Sequence, residues 1–146
     1  MNILSLVLAT ALLGAAGSVA ATTPQAAPGP VEIDGRKVLT LVGNDPPGLR
    51  CNNNIQVAAE LANTYKVPIL IYPVSYMPPG TQAPMVWYGG ENIAASGGKL
   101  NGMISFTEVA DLFEVEGVIR QDKAGLLMRP GVRDSFEALR QRIKDQ

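Results

Sequence analysis

The sequence predicts an α/β fold built as a single small domain. Two apolar runs of strand length, Val38–Val42 and Val67–Tyr72, flank a stretch of helical spacing, all within about 35 residues. That spacing makes a right-handed crossover with parallel strands. A second pattern follows, in which a proline-led strand pair from Pro84 to Ala95 precedes a capped helix. The 146 residues are 47% apolar and 17% charged, enough to bury one core and too apolar for bulk disorder.

Taken in order, Val31–Ile33 is followed by Asp34-Gly35, a strong two-residue hairpin signal. Val38–Val42 reads as a buried strand, broken by the turn-forming Asn44-Asp45-Pro46-Pro47-Gly48. Helical spacing predicts a helix over Asn53–Tyr65, with Asn53 and Gln56 as a capping box. Ile55, Ala58, Ala59, Ala62 and Tyr65 share its inner face, and Leu61 lies at the border. Val67–Tyr72 is the second strand, ended by Pro73. Met77–Gln82 is a loop, Met85–Tyr88 a strand, Gly89-Gly90 a turn and Glu91–Ala95 an antiparallel return. Ser105 and Glu108 have capping-box spacing for a helix that turns Phe106, Val109, Ala110 and Phe113 inward and ends by Gly117. Val118-Ile119 and Leu126–Met128 are expected to pair weakly. Pro130 opens a final helix striped by Val132, Phe136, Leu139 and Ile143.

Residues 1–20 read as a signal peptide, because Ile3–Ala21 is uncharged and ends in small residues. Ser18-Val19-Ala20 places cleavage after Ala20, and an uncleaved inner-membrane anchor is the alternative. Residues 21–30 form a Pro/Ala-rich linker, and the domain proper occupies 31–117, with 118–146 as an extension. The protein is therefore expected to be periplasmic or secreted. It would touch a membrane only if the leader is retained.

Composition excludes a good deal of chemistry. There is no His, so there is no Ser-His-Asp or Cys-His pair and no imidazole metal ligand. One Cys rules out an intramolecular disulfide, a CxxC pair and a thiolate zinc site. Twelve basic against thirteen acidic side chains give no footprint for nucleic acid. Gly97-Gly98-Lys99 lacks the flanking residues of a phosphate loop. Glu108, Asp111, Glu114 and Glu116 read as a solvated helix face. No cofactor and no metal are expected.

The order of elements resembles the thioredoxin-like fold, closest to its small members. Three segments carry the resemblance. Leu41–Cys51 ends a strand where such proteins hold CxxC, Thr81–Val86 is similar to the cis-proline segment at Pro84, and Tyr88–Ile93 is similar to the hairpin turn. The similarity spans about Lys37–Gly117. It implies a cis bond at Ala83–Pro84 and a binding groove beside the thiol, formed by the Asn44–Asn54 loop, the Met77–Pro84 loop and Trp87. Cys51 aligns either as the second cysteine, with Gly48 in the nucleophile's place, or as the first, with Asn54 replacing its resolving partner. The family's second helix is expected to be lost or reduced to a turn.

Cys51 is the only candidate nucleophile. Set just before a helix and beside Arg50, its thiol pKa would fall from about 8.5 toward roughly 3.5–7.5, favouring mixed disulfides. The competing reading is a small buried core residue. Asn52, Asn53 and Asn54 either contact a bound peptide or cap a helix. Trp87 and Tyr88 are strand packing and a pocket wall.

The tail from Arg120 carries seven basic and four acidic side chains. Its apolar stripe, fully buried, is worth roughly 6–12 kcal/mol before ordering costs. It is expected to dock on the domain's own sheet, with a partner or membrane surface as the alternative. The expectation is a thioredoxin-like binding or assembly module that uses a protein partner rather than an enzyme, with Arg50, Asn54, Ala83, Pro84 and Trp87 as binding residues. A monothiol redox protein using Cys51 is the alternative. Oligomeric state is not legible in the sequence.

Overall fold

The computed structural model describes residues 25–145. The expected signal peptide and its cleavage point lie outside them. A short hairpin pairs β1 (Glu32–Ile33) with β2 (Arg36–Lys37), and Asp34 and Gly35 at its tip both take positive φ. An Asp-Gly pair tolerates that conformation at little steric cost.

The main sheet contains β3 (Leu39–Gly43), β4 (Ile69–Pro73), β5 (Met85–Tyr88) and β6 (Glu91–Ala95), in the order β4-β3-β5-β6. The β3–β4 pair is parallel, with Leu41 beside Ile71, and the other pairs are antiparallel. Three helices complete the chain: α1 (Leu49–Thr64), α2 (Phe106–Val115) and α3 (Val132–Lys144). The protein is a mixed α/β domain with a four-stranded mixed sheet.

Alternation along the strands sorts the core into two layers. Leu39 and Leu41 from β3, with Val86 and Tyr88 from β5, face α1 and α2. There Phe113 meets Tyr65 edge-on at 5.3 Å and Tyr88 at 4.8 Å, spacings typical of aromatic pairs. Val42 and Trp87 point to the opposite face, where Ala27, Val74, Met77 and Ala83 cover them. The cover on that side is irregular chain. Between β4 and β5 the chain forms a 3-10 turn, Val74–Tyr76.

Several sequence expectations need correction. Helix α1 begins at Leu49 with Gly48 as its N-cap, not at Asn53. The Asn53 and Asn54 side chains are turned into tertiary contacts, and α1 has no side-chain cap. The buried stripe of α1 includes Val57, Leu61 and Glu60, whereas Ala59 and Ala62 are only half-buried. The reason is that α1 is covered on two sides, by the sheet and by α3. The tail helix docks on α1 rather than on the sheet. Its central contact is ionic, Arg140 Nη1 to Glu60 at 3.2 Å, and both side chains are largely buried. Val132 and Leu139 stay 44% and 46% exposed, so much of the apolar stripe faces outward. Leu126–Met128 forms a 3-10 turn. Arg120 bridges to Tyr65, so the expected pairing of 118–119 with 126–128 is absent. Residues 25–30, read as the end of a linker, lie packed on the sheet.

Helix α2 follows its sequence closely. The Ser105 hydroxyl accepts the Glu108 N–H at 3.2 Å and donates to the Glu108 carboxylate at 3.0 Å. Ser105 is thus the N-cap of α2, with Glu108 bonded to its hydroxyl, and Gly117 at positive φ closes the other end.

Candidate functional site

Strand directions bring four loops to one end of the sheet. Parallel β3 and β4 both end there, leading into Asn44–Gly48 and the turn at Val74–Tyr76. Antiparallel β5 begins there, after the Met77–Pro84 loop, and β6 ends there, entering Ser96–Met103. Loops beyond the carboxyl ends of parallel strands are the usual place for sites in α/β sheets.

Cys51 occupies the first turn of α1 at this end, but its side chain is turned inward and is 3% exposed. The Asn44 N–H donates to its sulfur at 3.3 Å. A Cβ placed on Gly43 would sit 3.3 Å from the Cys51 Cβ, so strand and helix meet there with no spare room. The thiol is unpaired and packed as a small core group.

Asn54 is almost completely buried one turn further along α1. Its Nδ2 donates to the Gly102 carbonyl at 2.8 Å, and its Oδ1 accepts the Ile104 N–H at 2.9 Å. Asn53 completes the clamp by donating to the Ile104 carbonyl at 2.9 Å. Buried backbone groups need such partners, because leaving one unpaired costs about 1–3 kcal/mol. Arg50 reaches the same loop from outside, donating to the Asn101 carbonyl at 2.8 Å and lying 3.4 Å from the Ser96 hydroxyl. Its guanidinium is engaged with the loop and not with the thiol.

The clamped segment is conformationally unusual. Leu100 and Asn101 take positive φ, and Gly102 sits at +82°. A Cβ on Gly102 would collide with the Pro84 carbonyl and lie 3.0 Å from the Ser96 nitrogen, so only glycine fits. The Ala83–Pro84 bond is cis, as is Asp45–Pro46, and both Ala83 and Pro84 are buried. Asn54, Gly102 and Pro84 therefore form one packed junction between α1, the Ser96–Met103 loop and the start of β5.

Trp87 is placed elsewhere. It is 0% exposed, on the sheet face away from α1 and α2. Its Nε1 donates to the Gln25 carbonyl at 3.2 Å, Ala27 packs beside it, and Gln25 Nε2 donates to the Thr81 hydroxyl at 2.7 Å. Residues 25–30 form a strap that occupies this face. The five expected binding residues are thus not one surface. Arg50, Asn54, Ala83 and Pro84 gather at the loop end, and Trp87 lies beneath the strap.

Beside the clamped loop a groove of about 250 Å³ opens between β6 and α2, lined by Ile93, Leu100, Met103, Ile104 and Leu112. Lys99 bonds Glu108 at 2.7 Å at its rim, and this with the Ser105 hydroxyl holds the Glu108 carboxyl below its ordinary range. Neither the groove nor the role of Gly102 was expected from sequence. The Gly97-Gly98 and Gly102 spacing was the only signal for an irregular loop there. Among the described residues, no three Cys, Asp or Glu side chains come together to hold a metal ion, and no helix is long and apolar enough to cross a membrane. Comparison of the chain with protein-family models, characterised proteins and solved structures finds no match.

Proposed function

We propose that the chain is an exported thioredoxin-like domain with a degenerate redox site, working as a non-catalytic binding or assembly module for a protein partner. The observation that carries this reading is the environment of Cys51. The sole thiol of the loop end is buried, accepts a backbone N–H and has no second thiol to exchange with. The strand order β4-β3-β5-β6, the parallel crossover through α1 and the proline opening β5 support the fold assignment. The partner surface on this reading is the exposed pair of proline-containing loops, Asn44–Gly48 and Pro78–Gly80. Short rigid turns of this kind lose little entropy when a partner orders them.

Monothiol exchange needs a sulfur that a disulfide can approach in line, and the packing of Cys51 against Gly43 weighs against it. Alkylation of the folded protein separates the two activities. On the proposed reading Cys51 reacts only after denaturant is added, and Cys51→Ala retains the same partner in a pull-down from periplasmic extract. Rapid labelling of the native protein, with loss of the partner in Cys51→Ala, would establish the monothiol reading instead.

A further inference from the structure

The two edges of the sheet are built differently. The β6 edge starts with Glu91 and is distorted by a register shift opposite Val86 and Trp87. Charge and bulges are the ordinary devices that stop an edge from accepting another strand. The β4 edge has neither. From Val67 to Tyr76 the chain carries no charged residue, and Lys66 just before it is ion-paired with Asp122 at 2.9 Å. Pro68 precedes β4 and Pro73 is its last residue, so the prolines confine edge pairing to the residues between them.

Hydrogen-bond polarity along β4 follows from its register. Leu39 lies beside Ile69 and donates its N–H to the Pro68 carbonyl at 2.9 Å. In a parallel ladder this turns the backbone groups of Leu70 and Tyr72 toward β3, and those of Ile69 and Ile71 away from it. Among the described residues β4 pairs with β3 alone. The Ile71 side chain on this edge is 52% exposed.

We infer that β4 is a self-pairing edge, joining two copies of this chain antiparallel about a two-fold axis at Leu70. Ile69 of each copy then lies opposite Ile71 of the other. Each such pair exchanges two backbone hydrogen bonds, so all four outward N–H and C=O pairs of the two strands' isoleucines find partners. The symmetry also puts the exposed Ile71 against Ile69 of the second copy on the helix-bearing face. No like charges meet, because the strand has none. A second copy suits this edge better than a foreign strand for a geometric reason. Within β4 the outward N–H groups belong to two residues alone, Ile69 and Ile71, because Pro73 has none, and a two-fold axis at Leu70 satisfies both. The product is a continuous eight-stranded sheet with closed symmetry.

Sedimentation of the full chain tests this. The expected result is twice the monomer mass at high concentration, falling to monomer on dilution. Ile71→Lys should be monomeric, as should Ile71→Glu, while each keeps the wild-type circular-dichroism spectrum and a cooperative thermal transition, which a folding defect would not permit. Register is read by cysteine substitution. Leu70→Cys sits on the axis, where facing Cα atoms about 4.5 Å apart are within disulfide reach, and should cross-link on mild oxidation. Ile71→Cys lies beyond about 7 Å from its symmetry mate and should not. A wild-type chain that stays monomeric at all concentrations overturns the inference, including one that gains mass only with another protein's strand. A dimer that survives Ile71→Lys and fails to cross-link at Leu70→Cys overturns it too.

Discussion

The Pro84 carbonyl oxygen occupies the space that a side chain on Gly102 would need, and Gly102 is held at a φ of +82°. Two distant segments thus fit only because one lacks a Cβ. Gly102→Ala combines positive-φ strain with a backbone collision, so it should destabilise the domain by about 3 kcal/mol, seen as a lowered urea midpoint. Gly97→Ala, with positive φ but nothing near the added Cβ, should cost about 1 kcal/mol.

Asn54 gives a sharper test of the same junction. Asn54→Leu leaves the Gly102 carbonyl and the Ile104 N–H buried without partners, and should cost about 3 kcal/mol in equilibrium unfolding. Asn54→Asp keeps the acceptor for Ile104 but sets a buried carboxylate oxygen against the Gly102 carbonyl, so a loss at least as large is expected at neutral pH. Were Asn54 instead a partner-contact residue, stability would be unchanged and only binding would fall.

The Glu60–Arg140 pair holds the tail helix. Burial pushes the Glu60 carboxyl up, and Arg140 pulls it back down without cancelling that rise. A raised folded pKa means the folded protein holds a proton more tightly than the unfolded chain does. Glu60 therefore favours folding most below its unfolded pKa, and that contribution is lost as pH rises through the folded one. Arg140→Met should cost about 3 kcal/mol at pH 8, where the carboxylate is stranded, and less as acid protonates it. Melting temperature against pH for both proteins checks this. A pH-independent difference would assign the loss to packing alone.

Trp87, the only tryptophan, reports on the strap. Removing residues 1–30 takes away the Gln25 carbonyl bonded to its indole and the Ala27 packed beside it. The expected outcome is a red-shifted emission, increased acrylamide quenching and a lower melting temperature. Unchanged fluorescence would show that the strap does not seal this face.

Elements whose reasons are local are legible in the sequence. Ser105 and Glu108 cap α2 from within four residues, Asp34-Gly35 makes its own turn, and Pro84 and Gly89-Gly90 bracket a strand and its return. The parallel crossover could be read as well, because apolar runs at that spacing have one common solution. Side chains whose partners lie far along the chain could not be read. The Asn53-Asn54 pair looks like a cap in sequence, yet its partners are about fifty residues away. Arg50 looks like a neighbour that lowers the pKa of a thiol, and instead holds Asn101.

By itself the sequence determined the chemistry that is missing and the order of strands and helices. A lone thiol, no imidazole and a strand-helix-strand spacing do not depend on how the chain closes. Tertiary structure alone decided that Cys51 faces inward, that residues 25–30 cover Trp87, and that α3 rests on α1 through an ion pair. Periodicity says which residues share a face, but what covers that face depends on contacts between segments that sequence spacing does not specify.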